Sequence, residues 1–217
     1  MSIRHHPSDE ILARHAAGRL AVGPALVVAT HLAVCPQCRR VTAEFEAVWG
    51  TMLLDLPPTP VQPDALSRVL ACIDAPVPAR TVSAATAPPL LPGGVALPAP
   101  LHGCEIGRWL WVAPGIRLSR VRTEADRDAK LLMLRVAPNR RLPEHGHTMA
   151  EWTQVISGSF SDVTGRYVAG DFAEADAELE HQPVVDSDRD CICLAAIEGT
   201  MRLTGMFGRV LQPFLGL

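Results

Sequence analysis

The sequence predicts an α + β chain of two domains, a small four-helix unit over residues 1–75 and an all-β unit over residues 101–217. Three observations carry this. The hydrophobic period changes along the chain from 3.6 residues to two. The stretch between the two regimes, residues 76–100, holds seven prolines and almost no charge, which suits a semi-extended linker. Each half also carries its own cluster of metal-ligating residue types.

The helices follow from caps and apolar spacing. Ser8 precedes Ile11, Leu12, His15 and Ala16, which share one helical face, and Gly18 ends the run. Pro24 opens a second apolar helix with Leu26, Val27, Val28 and Leu32. After Cys35-Pro36, the residues Val41, Phe45, Val48, Trp49 and Met52 recur at helical spacing until Pro57 and Pro58. A fourth helix, capped by Asp64, carries Leu66, Val69, Leu70 and Ile73. A unit of this size has little core of its own, and a structural metal is one known remedy. Beyond the linker, Trp109–Val112, Lys130–Val136, Trp152–Ile156, Asp190–Ala196 and Met201–Leu203 are short apolar runs separated by Gly, Pro, Asp and Asn. Many short strands with turn signals between them argue a sandwich or barrel.

His31-Leu-Ala-Val-Cys35-Pro-Gln-Cys38 offers one imidazole and two thiols within eight residues. His31 and Cys35 lie four apart on one helix face. Pro36 suits the first turn of a new helix, so a helix end, a turn and a helix start close three sides of a tetrahedron. Zinc favours such mixed N/S sites and takes four ligands when structural. His5 and His6 are candidates for the fourth, and spacing does not choose between them. A redox dithiol and a pair of buried small hydrophobes are the alternatives. Redox C-x-x-C pairs usually follow a strand, and none precedes Cys35.

His145-Gly-His147-Thr-Met-Ala-Glu151 is the second constellation. On a strand His145 and His147 face one side, Glu151 joins them after a short bend, and His181 follows the turn at Gly170-Asp171. Three imidazoles and a carboxylate fit zinc, iron, manganese, nickel or copper rather than magnesium or calcium. The alternative is that these are ordinary core or surface histidines.

The net charge of −3 makes no electrostatic case for direct nucleic-acid binding. The first 75 residues carry six Lys/Arg and seven Asp/Glu, so no basic domain is hidden there. The absence of a signal-peptide pattern and of an 18-residue apolar run predicts a cytoplasmic chain with no membrane partner. Its six cysteines are then free for metals.

The pattern H-x-H-x3-E-x6-G followed by G-D-x9-H resembles the two motifs of the cupin barrel. That resemblance implies His145, His147, Glu151 and His181 as metal ligands. The second motif departs from the family pattern, with Asp176 and Glu178 where a Pro and a Gly usually stand. The H-x3-C-x2-C motif with an upstream histidine and four short helices is similar to the zinc-binding anti-sigma domain. Together with Arg4-His5-His6, Thr30-His31-Leu32, Leu179-Glu180-His181, Cys191-Ile-Cys193 and Gln212-Pro213-Phe214-Leu215, the whole chain resembles the ChrR-type anti-sigma factors. The resemblance implies His6, His31, Cys35 and Cys38 as the first site and two zinc ions per chain. It also implies a non-enzymatic regulator that holds an extracytoplasmic-function (ECF) sigma factor and releases it in response to singlet oxygen or oxidative stress. Candidate partner contacts are Ile11 and Leu12 on the first helix and Leu66, Val69 and Leu70 on the fourth. Cys191 and Cys193 share a strand face, as a reactive pair or as interior filling; Cys72 and Cys104 stand alone. The rival reading is a cupin metalloenzyme, a dioxygenase or isomerase with a zinc-stapled helical appendage. A DNA-binding zinc finger is disfavoured by the acidic balance.

Overall fold

The computed structural model describes residues 3–75 and 89–203. Four helices come first: α1 (Asp9–Ala16), α2 (Val22–Val34), α3 (Pro36–Leu54) and α4 (Ala65–Asp74). Gly18 stops α1 with a φ of +63°, a conformation that glycine adopts without strain, and the next N–H groups fold back onto the last turn. Ser8 stands at the expected cap position, but its hydroxyl and N–H both donate to Glu174 instead of closing the helix. Pro24 is the third residue of α2, still in the first turn, where a missing N–H breaks no bond. Pro36 is the first residue of α3, and the Cys35 sulfur caps that helix by accepting from the Cys38 N–H at 3.5 Å.

Fourteen strands follow: β1 (Leu90–Leu91), β2 (Val95–Ala96), β3 (Glu105–Ile106), β4 (Leu110–Ala113), β5 (Ile116–Arg122), β6 (Leu131–Val136), β7 (His145–His147), β8 (Glu151–Ser157), β9 (Ser159–Asp162), β10 (Gly165–Val168), β11 (Phe172–Ala175), β12 (Val184–Val185), β13 (Cys191–Ile197) and β14 (Met201–Leu203). The main sheet runs β11-β8-β13-β6-β5-β3, with β4 also on β5, and all its pairings are antiparallel. A second sheet, β10-β9-β12, and the β14-β7 pair complete the β half. Among the described residues these ladders stay separate, so the expected barrel is present as facing sheets rather than as one closed hydrogen-bonded wall.

The expected linker divides. Residues 76–88 lie outside the described residues, as does the Gln212–Leu215 stretch. Residues 89–101 are not an extended spacer. The strands β1 and β2 pair as a hairpin across Gly93-Gly94, and a 3-10 turn at Ala99–Leu101 then buries Leu101 against α2. The prolines there sit at turn and edge positions, where the missing N–H costs no ladder bond.

The core explains how the halves meet. Period-two alternation sends Ile192, Leu194 and Ala196 of β13, Met133 of β6 and Trp152 of β8 to one face of the main sheet. There they pack with Leu12, Val27, Val28, Cys35 and Cys38 of the helices. Cys191, Cys193 and Val155 point to the other face and pack with Phe160 and Tyr167 of the second sheet. A strand buried on both faces reads as a continuous apolar run, as Cys191–Ile197 does. The helical half therefore shares its core with the sheet.

Burial also corrects one expectation. Ile11 and Leu12 are inside this core, 5% and 2% exposed, so they do not face a partner. The exposed apolar residues of the helices include Val48, Met52, Leu53 and Leu54 of α3 and Leu66, Val69, Leu70 and Ile73 of α4, whose helix buries no side chain.

Candidate metal centres

At the first cluster the α2 end, the α3 start and the extended segment before α1 converge. One ligand atom each from His6, His31, Cys35 and Cys38 fits within 4.8 Å of all the others. His6 Nδ1 lies 3.4 Å from the Cys35 sulfur and 3.3 Å from that of Cys38. For a tetrahedral zinc ion, bond lengths near 2.0 and 2.3 Å give N–S edges of about 3.5 Å, so these separations suit a shared ion. His31 is fully buried; its Nδ1–H donates to Gln154 Oε1 at 3.0 Å, and its Nε2 has no partner. A buried imidazole nitrogen left bare among two sulfurs and a second imidazole is an acceptor awaiting a cation. Burial, with the neighbouring Cys35 adding to it, pushes the Cys38 thiol up to about 12. Burial likewise pulls His31 down, against the Gln154 hydrogen bond, which keeps its ring neutral and able to ligate.

His5, which spacing could not separate from His6, goes elsewhere. Its Nδ1 bonds Asp171 Oδ2 at 3.2 Å and its ring lies on Tyr167. Asp171 also accepts from the N–H groups of Arg4, His5 and Val168. One buried carboxylate thus turns the chain so that the next residue, His6, meets the cysteines.

The second cluster lies on the other face of the main sheet. Strand β7 presents His145 and His147, β8 begins with Glu151, and His181 arrives on the bend before β12, bridging back to His145 through main-chain bonds at 3.1 and 3.0 Å. That bend departs from the Pro/Gly pattern without loss of position, because Asp176 Oδ1 accepts from the N–H groups of Glu178 and Leu179 at 3.0 Å each. An Asx turn performs the same bend. Gly158, the last residue of the first motif, adopts a φ of +73°, and a Cβ there would stand 2.7 Å from the Asp190 carbonyl oxygen.

Tautomers decide the chemistry of this cluster. His145 Nδ1–H donates to the Pro143 carbonyl at 2.9 Å and His181 Nδ1–H donates to Asp162 Oδ2 at 2.7 Å. Their two Nε2 atoms then face each other at 3.1 Å, each with a lone pair and, when neutral, no proton between them. Glu151 Oε2 is 2.9 Å from His147 Nε2 and 3.8 Å from His145 Nε2, without hydrogen-bond alignment to either. Thr153 Oγ1 donates to the other carboxylate oxygen at 2.7 Å. Burial pushes the Glu151 carboxyl up, but His145 and His147 outweigh it and hold it well below the carboxylate range. Burial pulls His145 down, and Glu151 outweighs that in turn. Lone pairs and a carboxylate brought this close in a buried place fit a bound cation.

A cavity of about 120 Å³ opens beside His145, Glu151 and His181 between the two sheets. Its walls are aliphatic, among them Leu118, Leu134 and Ile197, with Phe160 at one side. Cys191 and Cys193 line it too, with their sulfurs 3.6 Å apart. Hydrogen bonding to Cys191 and burial hold the Cys193 thiol well above its ordinary value, so Cys193 stays protonated. Cys72 is exposed and Cys104 half-buried.

Sequence reasoning missed the groups that orient the ligands. Gln154, Asp162 and Asp171 hold His31, His181 and the His5–His6 segment, and none is near its partner in sequence. Gln154 did leave a signal, a polar residue amid the apolar positions of a central strand.

Comparison with known proteins agrees with this architecture. A family model described as the ChrR cupin-like domain matches residues 104–199. The anti-sigma-E factor ChrR of Cereibacter sphaeroides is 37% identical over 219 residues, which cover 99% of this chain and 99% of that protein. The crystal structure of Rhodobacter sphaeroides SigE in complex with the anti-sigma ChrR matches with a TM-score of 0.76 and 35% identity, covering 91% of this chain and 100% of that one. With 37% identity across both halves and 99% of each chain covered, the chain belongs to the ChrR family of anti-sigma factors.

Proposed function

We propose that this chain sequesters an ECF sigma factor and releases it in response to singlet oxygen, with one zinc ion in each half. The observation that carries the sequestering role is the uncovered apolar stripe of α4. Leu66, Val69, Leu70 and Ile73 recur at helical spacing on one face, and each is half or more exposed. A helix of this kind gains stability only when a partner covers the stripe. Charge on the chain gives it no direct hold on nucleic acid, so it acts through a protein.

His6, His31, Cys35 and Cys38 would hold the first zinc and fasten the chain end to the α2–α3 corner. His145, His147, Glu151 and His181 would hold the second. Residues 1–75 would bind the partner and residues 101–217 would receive the signal, with 76–100 between them. Three imidazoles beside a cavity that also exposes Cys191 and Cys193 concentrate the side-chain types that singlet oxygen attacks. A partner that works with RNA polymerase places the chain in the cytoplasm.

Purification with the ECF sigma factor of the same organism, followed by metal analysis, tests this reading. A one-to-one complex with two zinc ions per chain is expected, together with loss of transcription from that sigma factor's promoters. The cavity beside the second cluster is the one observation that favours a cupin enzyme instead. Redox-active iron in that cluster, with turnover of a small substrate and no sigma complex, would establish that alternative.

A further inference from the structure

Strand β8 carries support for both clusters on opposite faces. Glu151 and Thr153 point into the cavity side, with Glu151 in the second cluster. Trp152 and Gln154 point the other way, toward the helices. Gln154 is 1% exposed, and its amide is used at both ends: Oε1 accepts from His31 Nδ1–H at 3.0 Å, and Nε2 donates to the Val155 carbonyl at 3.0 Å. The second bond fixes which end of the amide faces the ring. His31 must therefore carry its proton on Nδ1, leaving the bare Nε2 aimed at the sulfurs of Cys35 and Cys38. The opposite tautomer would place a proton where a metal has to bind.

We propose that Gln154 is a positioning residue for the N-terminal metal centre, supplied by the strand that also supplies Glu151 to the other centre, so that the two centres are coupled through β8. This rests on the reading that both clusters bind a metal ion, and not on the identity of the protein partner. Hydrogen-bond partners of ligating histidines typically tune metal affinity by about 10- to 100-fold, because they set the tautomer, the ring angle and the basicity of the ligand. Gln154 lies three residues from Glu151 on one rigid strand. A change of occupancy at the second cluster that shifts β8 therefore alters the hydrogen bond at the first.

Cobalt(II) binding to the full chain separates the two centres, because only the first has thiolates and so only it shows sulfur-to-metal charge-transfer absorption. In Q154L, whose side chain fills similar space without an acceptor, the charge-transfer signal should require about 10- to 100-fold more free metal, while the second centre keeps its ion. Q154E keeps an acceptor for His31 but sets its second oxygen against the Val155 carbonyl, so it should recover part of the affinity lost in Q154L. E151Q, which weakens the second centre, should also shift the first, and that shift should shrink in the Q154L background. Unchanged first-centre affinity in Q154L overturns the positioning role. Equal loss from both centres overturns it as well, and assigns Gln154 to strand packing alone. An E151Q effect of the same size in both backgrounds overturns the coupling. Absence of any charge-transfer band in the unsubstituted chain marks failure of the metal reading itself.

Discussion

Replacing Leu66 and Leu70 together by alanine separates partner binding from folding. These side chains are 71% and 50% exposed, and α4 buries nothing among the described residues. Fully burying a leucine is worth about 1.5–3 kcal/mol, so the exposed fractions leave roughly 1 to 1.5 kcal/mol each for a partner to gain. Alanine keeps the β-carbon, so the double variant should lose about 2 kcal/mol of association free energy, close to a 30-fold rise in Kd. Its thermal midpoint should hardly move, because exposed positions usually contribute within about 0.5 kcal/mol. L12A is the contrasting case. Leu12 packs in the shared core and is 2% exposed, so its loss should destabilise the fold by about 2–5 kcal/mol. Titration calorimetry with the purified sigma factor, paired with thermal melts, reads both quantities. Unchanged affinity in L66A/L70A with an unchanged melt would falsify the assignment of α4 as the docking face.

C38S should reduce metal content from two ions to one and lower the melting temperature, as mass spectrometry under native conditions and calorimetry would read; a chain that keeps sigma binding without that ion sinks the staple. D171N should flatten the acid limb of the stability profile. Burial pushes the Asp171 carboxyl up, but the N–H donors of Val168, Arg4 and His5 hold it below the ordinary value. A depressed folded pKa contributes stability above the unfolded value of about 3.9, which is lost as pH falls through the folded one. Melts from pH 6 down to about 3 should therefore converge for the two proteins, and parallel curves would refute the assignment. G158A should cost about 1–3 kcal/mol, since its φ is +73° and its Cβ would meet the Asp190 carbonyl at 2.7 Å; an unchanged melt would show that the turn relaxes.

Local geometry was legible in the sequence, and choices made by distant contacts were not. The spacing of His31, Cys35 and Cys38 encodes a helix end and a helix start, and the structure has both. His145 and His147 share a strand face as their separation of two requires. Between His5 and His6 the decision falls to Asp171, 166 residues away, which takes the first and leaves the second to the sulfurs. Leu12 and Leu70 look alike in sequence, each an apolar residue on an amphipathic helix. Only the sheet beneath α1 and α2 makes one a core residue and leaves the other bare. That sheet did advertise itself, because Cys191–Ile197 is apolar at every position and needs cover on both faces. Strand β5 was missed, because Arg117, Arg120 and Arg122 interrupt the buried Ile116, Leu118 and Val121.

Energy scales constrain how a signal in the β half can free the partner. Weakening a nanomolar complex to micromolar affinity takes about 4 kcal/mol. Metal loss from a structural zinc centre involves apparent free energies of about 10–16 kcal/mol, far more than is required. Two routes lead from the sheet to α3: one through α2, which meets α3 at the Cys35 corner, and one through α1, which packs along α3 and is tied to β11 by the Ser8–Glu174 bonds. That corner is where the first cluster sits. Along the first of these routes a signal crosses His31, Cys35 and Cys38 on its way to α3. On the proposed reading, the cluster at the α2–α3 corner is then one junction at which loosening by about 4 kcal/mol would let a partner go. Release without any change in first-centre cobalt absorption would show that the signal travels by another path.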